Sequence, residues 1–154
     1  MSLTGEEFYK QFYCRFQEFV KKDRPRYNKT KKDTEWTSYV KDEFLTNLGK
    51  QLSYTVDTED VFGVDLFFSK HSEGFVAIEH ENYHGGIWED EVLNLLKAAA
   101  PLKVLITYIS DAEFPGKEIA HKLYDELNER NFGQEFLLIL GSDSMKEPYA
   151  CCVF

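Results

Sequence analysis

The chain has 154 residues, enough for one domain (1–154) with a real core and too few for two ordinary ones. Its formal charge of −9, from 18 basic and 27 acidic residues, argues against a protein that coats nucleic acid nonspecifically. No apolar run approaches the ~20 residues that span a bilayer, and the N-terminal MSLTGEEFYK is polar and acidic, so no membrane contact and a cytoplasmic location are expected.

Cys14, Cys151 and Cys152 form neither a disulfide framework nor a zinc-ligand spacing, and they read as reduced thiols. An aromatic helix is predicted over 5–22, with Phe8, Phe12, Phe16, Phe19, Tyr9, Tyr13 and Val20 on one broad face. That face could also bury a homodimer surface. Residues 21–32, KKDRPRYNKTKK, hold seven of the basic residues and one Asp. With Pro25 the segment reads as a linker loop, and it is either simply solvated or able to grip the phosphate backbone of DNA or RNA. A second helix follows, capped by Asp33 or Thr34, burying Trp36, Tyr39, Val40, Phe44 and Leu48, and stopped by Gly49.

The period then changes. Leu52, Tyr54 and Val56 alternate with polar residues as in a strand, and VFGVDLFF, 61–68, is a mostly apolar run interrupted by Asp65. SKHSEG turns the chain into a third strand over 75–81. Gly85-Gly86 breaks it before a helix from about Trp88 to Ala99, ended by Pro101. LKVLITYI, 102–109, has the continuous apolar character of a parallel strand. A helix over 116–129 and a buried strand over 135–141 follow, and the tail YACCVF is either a short edge strand or a segment docked on the core. The fold class expected is α/β, a mixed sheet of antiparallel strands followed by a parallel β-α-β unit, with helices on both faces.

The stretch GFVAIEHENYHGG admits two readings. His80-Glu81-Asn82-Tyr83-His84 spells H-E-x-x-H, a zinc metalloprotease signature when it lies on a helix. A strand precedes it, Gly85-Gly86 follows it at once, and no third ligand stands at a suitable distance, so the zinc reading is set aside. On a strand, Glu79 and Glu81 share one face about 6–7 Å apart, while Ile78 and His80 share the other. A hairpin centred on Ser72 sets Asp65 opposite Glu79, unless a bulge shifts the register by one. Like charges about 4 Å apart repel by about 4 kcal/mol at an effective dielectric of 20. Hard carboxylate oxygens so crowded suit Mg²⁺ or Mn²⁺; the plainer alternative is solvated strand-end acids.

Three fragments taken in order, DTEWTSYV with Glu35, GVDLFF with Asp65 and AIEHEN with Glu79 and Glu81, resemble the PD-(D/E)XK nuclease superfamily. The resemblance covers the chain after its first helix and implies a restriction endonuclease-like mixed central sheet, an antiparallel meander joined to a parallel β-α-β unit, flanked by helices. It implies Mg²⁺- or Mn²⁺-dependent hydrolysis of phosphodiester bonds. Asp65 and Glu79 would hold the metal, Glu81 would position water or take a second ion, and Glu35 would reach in from the second helix. The third-strand Lys of the family is replaced by Glu81, and Lys97 or Lys103 are the positions considered for its charge. Tyr83 and His84 follow the site and are candidates for substrate contact. The competing expectation is a nuclease scaffold without catalysis, serving as a binding or regulatory domain.

Overall fold

The computed structural model describes residues 3–31, 35–58, 61–71, 73–82, 90–113, 116–130, 132–144, 146 and 148–154. Six strands form one sheet in sequence order: β1 (Thr55–Asp57), β2 (Leu66–Lys70), β3 (Glu73–Glu81), β4 (Leu102–Ile109), β5 (Glu135–Ser142) and β6 (Pro148–Val153). Strands β3, β4 and β5 are parallel; β1, β2 and β6 add antiparallel edges. The mixed α/β sheet expected from the sequence is therefore present, and the tail is an edge strand.

Strand alternation divides the core by residue type. One face carries Leu66, Phe68, Val76, Ile78, Val104, Ile106 and Tyr108 against α1 (Gly5–Lys22) and a helical rod, Trp36 to Gln51. The other carries Phe67, Ala77, Leu105, Ile109, Leu138 and Leu140 against α5 (Glu91–Lys97) and α6 (Lys117–Glu129). Helix α1 opens with a reciprocal capping box between Thr4 and Glu7 and buries Phe8, Phe12, Phe16 and Val20. Phe12 and Phe16 meet the Phe44 ring edge-on, each with centroids 5.2 Å apart. Phe8, Phe12, Phe16 and Val20 of the aromatic face are thus buried inside the protomer, while Tyr13 of the same helix stays exposed.

Three expectations are corrected. The basic segment is not a loop: Arg24–Thr30 is helix α2, capped by Asp23, with Pro25 in its first turn where no backbone donor is needed. Its Tyr27 is buried against Trp36, so the ring anchors the helix and is not displayed. Gly49 does not stop the second helix. The rod runs through it as α3 (Trp36–Ser38), a π-helical stretch Tyr39–Leu45 and α4 (Thr46–Gln51). A Cβ on Gly49 would lie 2.4 Å from Val56 and 2.8 Å from the Phe68 ring, so the glycine permits close approach to the sheet. The second strand starts at Leu66, because Val61–Gly63 forms a 3₁₀ turn. The proposed caps Asp33 and Thr34 lie outside the described residues.

A bulge sets the register. The turn-side pairs are Lys70↔Glu73 and Ser69↔Gly74, and the next is Phe68↔Val76, which leaves Phe75 as the extra residue. Beyond it Leu66 pairs with Ile78. One further step puts Asp65 opposite Glu79. Without the extra residue Asp65 would face Ile78 and the other side of the sheet.

Candidate active site

The 3₁₀ turn delivers Asp65 just before β2, and β3 carries Glu79 and Glu81 on the same face as Ala77. Asp65 is held from three directions. Its Oδ1 meets Lys41 Nζ at 3.0 Å, its Oδ2 accepts the His80 backbone N–H at 3.0 Å, and its own N–H donates to Glu79 Oε2 at 3.3 Å. Lys41 belongs to the π-helical stretch, so the rod reaches across the sheet edge to complete the arrangement.

Glu79 is only 5% exposed. Burial, reinforced by repulsion from Asp65, pushes its pKa up to about 8. Burial opposes the Lys41 charge, but the hydrogen bond and charge of Asp65 outweigh it and hold the Lys41 pKa above its ordinary value. Glu91, in the first turn of α5, is also raised, by burial first and then by Glu81, Asp90 and Asp65. Four carboxylates therefore share one electrostatic neighbourhood: Asp65, Glu79, Glu81 and Glu91. Thr107, fully buried, pairs in register with Glu81 across β3 and β4 and lies on the acid face by alternation. Its Oγ1 and Glu91 Oε2 have no hydrogen-bond partner among the described residues. Buried polar atoms normally have one, so the neighbourhood has unused donor and acceptor capacity.

Directly behind the acids, on the opposite face, His80 Nε2 pairs with Tyr108 Oη at 3.0 Å. Burial holds the imidazole neutral, with its pKa pushed down to about 4. Ring contacts then run outward from Tyr108 to Trp36 at 6.0 Å and from Trp36 to Tyr27 at 5.9 Å. Arg24 and Lys31 lie over the Tyr27 ring, and Lys146 lies 4.6 Å from the Tyr108 ring centre. The basic helix α2 is thereby packed at the carboxyl end of the parallel strands, the end at which open α/β sheets bind ligands.

Of the acids read from the sequence, Asp65 and Glu79 come together, and Glu81 lies on the same face of β3, two residues beyond Glu79. Glu35 stands exposed at the start of the rod, its side chain caps nothing, and among the described residues none hydrogen-bonds or ion-pairs with its carboxyl. Tyr83 and His84 lie outside the described residues. The substitutes considered for the family Lys do not serve. Lys103 is fully buried at the start of β4, where Nζ donates to the carbonyls of Ala98 (2.8 Å) and Ala100 and to Gln134 Oε1 (2.7 Å). Lys97 is exposed in the last turn of α5. The ammonium that does reach the acids is that of Lys41, which sequence reading missed; its one signal was a place between the buried Val40 and Phe44, at the margin of the inward face. Glu91, next to the inward Val92, carried a similar signal.

No group of three His, Cys, Asp or Glu stands ready-made for a metal among the described residues. The donor chemistry nonetheless fits a hard divalent ion, because the site offers carboxylate and hydroxyl oxygens with two of them unpartnered. A cavity of about 590 Å³ between α1 and the rod is lined by Arg15, Phe19, Lys22, Arg26, Tyr39 and Asn47 among others, and by none of the four acids. No helix among the described residues is long and apolar enough to cross a membrane. Comparison with protein-family models, curated proteins and solved structures finds no match to this chain, so its site rests on its own geometry.

Proposed function

We propose that the chain is a divalent-metal-dependent nuclease of restriction endonuclease-like architecture, hydrolysing phosphodiester bonds in DNA or RNA. The observation that carries this reading is the acid pair at the carboxyl end of the parallel strands, a buried Glu79 bonded to a half-buried Asp65 that Lys41 holds. Asp65, Glu79 and Glu81 would hold Mg²⁺ or Mn²⁺, with Glu91 and Thr107 adjoining. Such an ion, when bound, supplies charge neutralisation at the phosphate and a more acidic water.

The protein's own groups have separable tasks. Lys41 replaces the third-strand Lys of the family from a different element, and its ammonium is placed to face a phosphate once Asp65 has another cation. Glu81, half-buried at the end of β3, orients the attacking water and accepts its proton. The backbone N–H of His80 fixes the Asp65 carboxylate, and the neutral His80–Tyr108 pair keeps that strand end rigid. Arg24 and Lys29 of α2, with Lys31 directly after it, offer contacts to the sugar-phosphate backbone, which are independent of sequence.

Cleavage of labelled DNA and RNA in Mg²⁺, Mn²⁺ or EDTA tests the proposal, with Asp65→Ala and Glu79→Ala as controls. Metal-dependent cleavage that vanishes in both variants is the expected result. Either metal should also raise the melting temperature, and both variants should lose that response. A second reading, a scaffold without catalysis, is favoured by one feature: Lys41 already neutralises Asp65. Millimolar metal that leaves the melt unchanged, together with uncut nucleic acid, selects the scaffold.

A further inference from the structure

The turn that delivers Asp65 contains an outlier. Phe62 has φ 61° and ψ 17°, the left-handed region that bulky side chains rarely occupy. The residue is also 50% exposed, whereas seven of the described phenylalanines are buried. Strain and exposure each oppose folding, and together they make Phe62 a poor choice for a turn that glycine or asparagine would fill without cost.

The surroundings hold this conformation in place. Asn94 Nδ2 donates to the Gly63 carbonyl at 2.9 Å, pinning the turn to α5. Asn94 lies three residues after Glu91 and so on the same side of that helix. The ring packs against Phe67, centroids 5.2 Å apart and planes tilted by 53°, on the acid face of the sheet. Phe62 precedes Asp65 by three positions, a backbone reach of about 11 Å at most. An aromatic ring is therefore displayed on a fixed turn within a few nucleotides' length of the acid pair.

We propose that Phe62 is a stacking platform for an unpaired nucleobase, so that the strand taken by the acid site is single-stranded; this rests on the nuclease reading. A phenyl ring offers a base its π-face and no hydrogen bonds, which gives affinity without sequence preference. A base inside a duplex has both faces covered and cannot use the platform. The basic helix α2 cannot supply this contact, because its Tyr27 is buried.

The test is equilibrium binding of fluorescein-labelled dT12, an abasic strand of the same length and a 12-base-pair duplex to the full chain in EDTA. Phe62→Ala should weaken dT12 binding about tenfold, and Phe62→Tyr should preserve it. Abasic strand and duplex should bind more weakly than dT12 and respond less than twofold to either change. Phe62→Gly relieves the backbone strain, so it should melt at the same or a higher temperature while losing dT12 binding as Phe62→Ala does. Equal dT12 affinity in the parent and Phe62→Ala overturns the proposal. So does an equal loss for all three probes, or no dT12 binding by the parent at 100 µM. Metal-dependent cleavage that persists in Phe62→Ala with unchanged affinity leaves the acid site standing and removes only the platform; Phe62-dependent binding without cleavage does the reverse.

Discussion

The two ends of the parallel strands bury charge in opposite ways. At the amino end the Lys103 ammonium is enclosed by two carbonyls and an amide oxygen, every one an acceptor aimed at it. At the carboxyl end Asp65 and Glu79 face each other, Glu91 and Glu81 stand near, and one ammonium serves the group. Burial has shifted the groups at both ends: Lys103 is pushed down to about 8 and Glu79 up to about 8. The difference lies in the partners. The amino end is satisfied and structural, tying the α5 exit to residue 134. The carboxyl end keeps crowded carboxylates with the Lys41 ammonium bonded to one of them, a cost to stability that the amino end does not carry.

Mutation should separate the ends by sign. Lys103→Ala strands three acceptors and opens a cavity, and it should cost about 3 kcal/mol in denaturant unfolding. Glu79→Gln removes a repelling carboxylate, so above pH 7 in EDTA it should leave stability unchanged or raise it. Equal losses from the two would erase the contrast.

The pH profile is the next largest effect. Glu79 rises from 4.5 to about 8 on folding, so between those values the folded state holds the extra proton and stability falls as pH rises. His80 drops from 6.5 to about 4, so from pH 4 to 6.5 the unfolded state holds the extra proton and stability rises with pH. The slopes oppose between 4.5 and 6.5, leaving a plateau. Above 6.5 Glu79 dominates, and stability should fall by about 1 kcal/mol by pH 7.5; toward pH 8 Lys103, lowered from 10.5 to about 8, begins to oppose it. Glu79→Gln should flatten that fall, and a decline unchanged in this variant would locate its cause elsewhere. Lys41→Met should cost about 1 kcal/mol at pH 8 by leaving Asp65 without its cation. The same change should enlarge the melting shift produced by Mg²⁺, since Lys41 no longer competes for the carboxylate. A diminished shift would make Lys41 an organiser of the site and not a competitor within it.

The sequence made the sheet largely legible because strands and helices write different periods. Leu102–Ile109 and Glu135–Ser142 are continuous apolar runs, and they pair in parallel as such runs do. The acid register was readable too: counting from Ser72 places Asp65 opposite Glu79, and the bulge at Phe75 makes that count correct at the site though not beside the turn. Helix ends were less legible. Pro25 and Gly49 are breakers by local chemistry, yet tertiary packing decides both, through Tyr27 under Trp36 and through the sheet against Gly49. Lys41 was invisible for a related reason. Its partner is 24 residues away, and no spacing rule on a helix indicates which margin residue meets an acid on a distant strand.

The smallest effect should come from Glu35, the acid whose role rested most on resemblance. It begins the rod without capping it, its side chain is exposed, and the turn that follows buries Trp36 whatever precedes it. Thr37 and Lys41, one helical turn apart, are the rod residues that reach the strand end, by bonds to Asn82 and Asp65. Glu35 precedes Thr37 by two residues, about 200° around the helix, and so points away from them. Glu35→Ala should therefore change stability by less than about 0.5 kcal/mol and leave the metal-induced melting shift intact. Cleavage, where the parent shows it, should stay within about twofold. A loss comparable to that of Asp65→Ala would mean that the start of the rod swings toward the acids when substrate binds. The Thr37–Asn82 bond would then have to break, and Asn82→Ala should in that case raise activity.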